Sequence, residues 1–301
     1  MSPTLHMLVT LVICTGVVSP LARARWVWRA PRISIALWQM LAASWVLCAV
    51  GTLLAIGLSV YGSDIPTALS SWGGDIFERD QLASHSGFHG VVTALGFALA
   101  VVVLLAAVST WVAVWRTRHR HRRLLALVAH EDPAAPGALI VDYPVAVAYC
   151  LPGLRAQVVL SAGAVRTLTP DQIAAVLAHE RTHARERHDL VLLPFAALRR
   201  LVPRSRLVAL AAESLALLVE MRADESACRH QCPRSLASAL SWFHENAASP
   251  PVGTLGMGDA AVAARLLRIS SATVPLPVTL RWLALLTGLV LISTPLTFLL
   301  V

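Results

Sequence analysis

The chain has 301 residues, of which 56% are hydrophobic and only 14% charged, with a mean hydropathy of +0.66. Soluble domains carry roughly 45–50% apolar and about 25% charged residues, so this composition excludes a wholly soluble, disordered, collagen-like or disulfide-stapled protein. The net charge of +8 comes from arginine alone, since the chain has no lysine. The arginines cluster beside long apolar runs, which marks them as membrane flanks and not as a nucleic-acid surface; no direct nucleic-acid contact is expected.

Four stretches are long and apolar enough to cross a bilayer, which takes about 20 residues. They are 1–22, 33–63, 90–115 and 282–301, with predicted helices at about 4–22, 36–60, 90–115 and 282–301. The first resembles a signal peptide in its Ala22-Arg23-Ala24 ending, but its arginines follow the apolar core, whereas a signal peptide carries them in front. A retained anchor is therefore expected. Arg23, Arg25, Arg29 and Arg32 flank the first two spans, and Arg116, Arg118, Arg120, Arg122 and Arg123 follow the third. The loop 64–87 carries Asp64, Asp75, Glu78 and Asp80 against Arg79 alone. The positive-inside rule then predicts a multi-pass protein of the cell membrane with both termini outside and residues 116–281 in the cytoplasm. At 24 residues the outer loop is too short for a folded sensor and offers at most a contact surface.

Five cysteines cannot form a complete disulfide framework. Cys14 and Cys48 sit in apolar runs and read as small hydrophobes. Cys228 and Cys232 lack the paired spacing of a second metal site.

The segment 116–281 is long enough for one domain. It opens on the turn signals Asp132-Pro133 and Pro136-Gly137. Strand-like runs follow at 139–141, 146–149 and 156–161, then helical patterns broken at Pro203 and Pro233. Pro250-Pro251 with Gly253, Gly256 and Gly258 predicts a second loop. The reading is a mainly α membrane protein of four transmembrane helices, 1–115 and 282–301, around a cytoplasmic α+β domain.

The chemistry lies in His179-Glu180-Arg181-Thr182-His183. On a helix, positions i and i+4 share a face, so both imidazoles reach one zinc ion, and the glutamate beside the first is placed to activate a water. Thr169 as N-cap, Pro170 at the first helical position and Gln172 closing a capping box predict the start of that helix. A third protein ligand is required. The downstream candidates are His188, Glu213, Glu220, Asp224 and Glu225. His188 is set aside: five residues past His183 on one helix it is rotated away, and no glycine offers a sharp turn. Glu220 is preferred, with Glu213 next, because Glu220 and Asp224 stand one helical turn apart at the end of the apolar run 207–219. One carboxylate then ligates zinc while the other orients a ligand histidine.

The run Val176-Leu177-Ala178 into the HExxH motif, with Glu220-x-x-Ala223-Asp224, resembles the BlaR/MecR-type integral-membrane zinc metallopeptidases. Pro152-Gly153 and Val158-Val159-Leu160-Ser161-Ala162-Gly163 resemble the segment before the zinc helix in that family. The resemblance covers roughly 88–245 and implies a gluzincin-like, zincin-type domain. In it His179, His183 and Glu220 hold one zinc, Glu180 is the general base and Asp224 supports the site. It also implies that 156–161, with Val158, Val159 and Leu160, is an edge strand on which a substrate backbone pairs. Because the chain ends at Val301, the extracellular penicillin-binding sensor of the antibiotic-sensing members is not expected.

The function implied is a zinc endopeptidase cutting a cytosolic protein, by resemblance a winged-helix repressor in a signalling pathway. The alternatives are an HtpX-like quality-control protease and a non-catalytic zinc-bearing scaffold. Membrane lipid is an expected partner, and a homo-oligomer is compatible with the sequence. The intact Glu180 and the three-ligand count favour catalysis over a structural zinc.

Overall fold

The structure is a computed structural model describing residues 3–62, 65–78, 87–153, 156–246, 259–271 and 274–300. The expected loop at Pro250-Pro251 with Gly253, Gly256 and Gly258 lies outside the described residues, as do Asp64, Arg79 and Asp80 of the expected outer loop. In chain order the helices and strands begin α1 Pro3–Arg23, α2 Pro31–Gly57, α3 Ile65–Glu78, α4 Gly87–Val128, β1 Ala129–Glu131, β2 Ala138–Val141, β3 Ala148–Leu151 and β4 Gln157–Ser161. There follow α5 Ala162–Thr167, α6 Pro170–Arg185, α7 His188–Leu201, α8 Arg206–Ala227, α9 Pro233–Asn246, α10 Asp259–Ser270 and α11 Val278–Leu300.

The chain forms two compact units. The first comprises Met1–Ser109, Pro194–Leu215 and Leu276–Val301; the second comprises Thr110–Leu193 and Ala216–Pro275. Residues 194–215, which the sequence places inside the 116–281 domain, therefore cluster with the apolar helices instead.

In the first unit α2 is the central helix, packed by both α1 and α11. Its buried positions Ser34, Leu37, Leu41, Ser44, Cys48, Gly51 and Ala55 recur every three or four residues, so they form one stripe of mostly small side chains. Small residues let helices approach closely where lipid supplies no hydrophobic drive. The Ser44 and Thr52 hydroxyls donate to carbonyls one turn back, at 2.8 and 2.7 Å, which removes their desolvation cost. Gly57 lies so close to Thr93 of α4 that a Cβ there would overlap the Thr93 backbone. Among the described residues four helices are long and apolar enough to cross a membrane: Thr4–Arg23, Pro31–Gly57, Gly87–Val128 and Val278–Thr297. The third differs from its expected end at Trp115. With no Gly or Pro after Gly96 and an Arg- and Leu-rich continuation, it runs on for 42 residues through the arginine cluster. At 1.5 Å per residue that is about 63 Å, roughly twice the hydrocarbon thickness of a bilayer.

The second unit is built on a four-stranded sheet of order β1-β2-β4-β3, in which β4 runs parallel to β2 and antiparallel to β3. Alternation along the strands separates two faces. Ala138, Ile140, Val158 and Leu160 pack on Ile173, Val176 and Leu177 of α6. Leu139, Val159, Tyr149 and Leu151 pack on Leu125 at the end of α4.

This order corrects one expectation. Val158, Val159 and Leu160 do not form an edge strand: Val158 is paired with Ala138 on one side and Cys150 on the other, so its strand is interior. The open edge belongs to β3, whose outer side meets no strand among the described residues.

Candidate metal centre

The zinc helix α6 starts as its sequence dictates. The Thr169 hydroxyl accepts from the Gln172 backbone N–H, and the Gln172 side chain accepts from the Thr169 N–H at 2.8 Å, with Pro170 at the first position. Its apolar stripe, Ile173, Val176 and Leu177, is held against the sheet, which fixes the rotation of the helix and buries His179. The His179 and His183 Nε2 atoms stand 3.1 Å apart. Glu220, from α8, places its carboxylate 3.3 Å from His179 Nε2 and 3.6 Å from His183 Nε2. Two imidazole nitrogens and a carboxylate are the donor set of a three-ligand zinc site. With metal–ligand bonds of about 2.0–2.1 Å, tetrahedral ligands lie roughly 3.3 Å from one another, and these three separations bracket that value. The residues present fit zinc, and among the described residues this is the group of His, Cys, Asp and Glu side chains that gathers to hold an ion. Glu213 does not join it; its carboxylate lies 4.0 Å from Arg199.

Each of the two histidines is backed on its far nitrogen. His179 Nδ1 lies 3.0 Å from the Asp224 carboxylate, itself almost wholly buried and gripped by Arg265 of α10 at 2.7 and 2.8 Å. A third Arg265 contact reaches Glu220 at 3.1 Å. His183 Nδ1 meets His188 Nδ1 at 3.0 Å. Behind it the His188 Nε2 is 3.5 Å from Glu186, and Arg222 grips Glu186 through two nitrogens. If Nε2 of His183 is the metal-binding atom, its Nδ1 carries the proton and donates to His188, whose Nε2–H then faces the Glu186 carboxylate. The pairing settles both tautomers without a charge on either ring.

His188 is not one of the three gathered residues, but the reason for setting it aside, that it continues the same helix and is rotated away, does not hold. α6 stops at Arg185, and Arg187 takes a left-handed conformation with φ of 52°. The chain thus makes its sharp turn without glycine, and His188 folds back onto His183. A non-glycine residue in that region costs on the order of 1–2 kcal/mol, a strain of the kind found at functional sites.

The electrostatics divide the two histidines. Burial disfavours the charged form of His179, yet contacts with Asp224 and Glu220 outweigh it and push its pKa up to about 10. Burial dominates at His183 and pulls it down to about 4. Burial also opposes ionisation of Glu220, but His179 and Arg265 hold that carboxylate far below its ordinary range. Glu180 is raised to about 7, chiefly by burial, with His179 and Arg265 working the other way. The backbone N–H of Cys150, on the open-edge strand β3, also favours the ionised form of this carboxylate. A carboxylate poised near neutrality suits a general base.

Sequence reasoning reached His179, Glu180, His183, Glu220 and Asp224, and the structure brings all five together. It missed Arg265, His188 in its actual role, the Glu186–Arg222 pair and the Cys150 amide. Only the proximity of His188 and Glu186 to the motif gave any sequence signal.

Residues 114–234 match the model of peptidase family M48. That stretch contains the HExxH helix and the Glu220 helix, so the match supports a metallopeptidase of this family, whose members are typically zinc-dependent. The support is for M48 and does not extend to the BlaR/MecR type specifically. No curated protein and no solved structure matches the chain.

Proposed function

We propose that the protein is a membrane-bound zinc endopeptidase that hydrolyses peptide bonds of a cytosolic protein. The observation that carries this reading is the gathering of His179, His183 and Glu220 beside a half-buried Glu180 raised to about 7. Zinc held there would supply a Lewis acid that acidifies water and polarises a peptide carbonyl. Glu180 takes the proton from the attacking water and returns it to the leaving amine. Arg265 and Asp224 hold His179 and Glu220 in place.

The substrate binds as an extended segment along the open edge of β3, where Ala148 and Cys150 are within reach. β-Addition to a free edge supplies backbone hydrogen bonds without regard to side-chain identity. The Cys150 amide that influences Glu180 belongs to this strand, so the general base and the docking strand adjoin. This assigns to β3 the role that the resemblance implies for Val158, Val159 and Leu160.

The two arginine clusters support a cytoplasmic site with the termini outside. An impermeant thiol reagent applied to intact cells should label Ser71→Cys and spare Arg185→Cys; the reverse would invert the topology and the substrate class. The substrate is a cytosolic repressor under the BlaR/MecR resemblance, or a misfolded membrane protein under the quality-control reading, and the family match favours neither. Crosslinked capture on the Glu180→Gln protein distinguishes them: one bound DNA-binding protein supports the first, a broad set of membrane proteins the second. Cleavage itself is tested with an unstructured polypeptide, which the zinc-loaded protein should cut and a chelator should protect.

A further inference from the structure

The arginine cluster near the end of α4 divides in two. Arg116, Arg120 and Arg123 are exposed, whereas Arg118, His121 and Arg122 are half-buried and Leu125 is buried. These four stand at i, i+3, i+4 and i+7, so they form one face of the helix, and each meets another element of the second unit. Leu125 packs on Leu151 and Val159. His121 Nε2 stands 2.6 Å from the Tyr149 hydroxyl, with the two rings in contact. Arg122 donates to the Pro152 carbonyl, just past the end of β3. Gly153 makes room for it, since a Cβ there would overlap the guanidinium. Arg118 donates to the buried Asp189 carboxylate at 2.7 Å, and Asp189 adjoins His188, the partner of His183. A membrane flank needs no partner within the chain, yet Arg118 and Arg122 each have one.

The partners lie on both sides of the substrate's path. Tyr149 and Pro152 belong to β3 and its exit, on the docking side. Asp189 belongs to the start of α7, behind the metal-binding histidines. β3 is four residues long and pairs with one strand, β4, among the described residues, so its own ladder constrains it weakly. A peptide lying along it must bring one carbonyl to the metal centre, where misplacement by about 1 Å costs roughly 100-fold in rate. The α4 face ties the two sides to one rigid helix.

We propose that Arg118, His121 and Arg122 are positioning residues of the peptidase. Their face of α4 is a brace that sets the separation between β3 and the histidine pair, and with it the alignment of a bound peptide with Glu180. The three act through Asp189, Tyr149 and Pro152 and not on the substrate itself. This inference rests on the endopeptidase reading and on β3 as the docking strand.

The test uses the full chain in mild detergent with two readouts: cleavage of a quenched-fluorescent unstructured peptide by the zinc-loaded protein, and backbone hydrogen exchange of the metal-free protein. Arg118→Met with Arg122→Met cuts one tie on each side. It should lower kcat about 10- to 100-fold, the cost of misplacement, with KM and zinc content as in the parent. Its residues 146–153 should exchange faster, about fivefold or more, while 170–185 exchange as before. Arg118→Lys with Arg122→Lys keeps the donors and should recover most of the rate. Tyr149→Phe should lower kcat a few-fold, and His121→Leu should add nothing to it, because both cut the same tie. Where the double Met variant does not fold, Tyr149→Phe and Gly153→Ala, which pushes Arg122 off the Pro152 carbonyl, decide the matter. Parent-like kcat and exchange in these variants, or a loss confined to KM or zinc content, overturns the proposal. A parent that does not cut the peptide sinks the endopeptidase reading instead, and the exchange rates then judge the brace by themselves.

Discussion

The surroundings of His179 and His183 solve one problem with opposite chemistry. Each ring must present Nε2 to the same point and needs a partner at Nδ1. At His179 the partner is a buried carboxylate, Asp224, clamped by Arg265. At His183 it is a neutral imidazole, His188, with Glu186 and Arg222 one step further back. A carboxylate attracts the proton and an imidazole in a dry setting does not, so one histidine rises to about 10 while the other falls to about 4. One face of the centre is therefore held by charge, the other by shape and tautomer.

The largest difference between the two faces should appear on Asp224→Asn, which keeps the volume but removes the charge that orients His179. Zinc affinity, measured by competition with a chelator, should fall about 10- to 100-fold, the usual cost of losing a partner behind a ligand. His188→Phe removes the acceptor behind His183 without removing a charge, and should cost less, about tenfold. Equal losses in the two variants would erase the distinction between the faces. Arg222→Met acts only through Glu186 and should weaken zinc no more than a few-fold.

The proton inventory sharpens the same comparison. At pH 8 the metal-free centre holds a proton on His179, because pH 8 lies below its pKa of about 10, whereas His183 and Glu220 are already bare and Glu180 is mostly ionised. A metal ligand must be deprotonated, so zinc binding should release about one proton more at pH 8 than well above pH 10, the difference being the proton lost from His179; the acidified water contributes alike at both. Calorimetry in two buffers of different ionisation enthalpy gives the count. Equal release at the two pH values would mean that Asp224 does not charge His179.

What the sequence disclosed follows from how local each feature is. The spans are legible because unbroken apolar length is itself the signal, and the HExxH spacing is legible because one helix carries both rings. Asp224 is legible for the same reason, standing one turn beyond Glu220. The interior position of Val158, Val159 and Leu160 is not, since it depends on β2 and β3 lying on either side, and neighbour order in a sheet is non-local. The fold-back of His188 onto His183 is not legible, because the turn at Arg187 occurs at a residue with no propensity for it. Arg265 lies 41 residues beyond Asp224 on another helix, and no spacing rule connects them.

The claim that matters most is that the centre hydrolyses peptide bonds and does not merely hold a metal. Glu180→Gln tests it directly, since the amide keeps the shape of the side chain and cannot accept the water's proton. Measured side by side, zinc content and turnover should part: zinc as in the parent, cleavage of an unstructured polypeptide lower by about two to four orders of magnitude. A Glu180→Gln protein that cuts as fast as the parent would contradict the account and leave the zinc-bearing scaffold in its place.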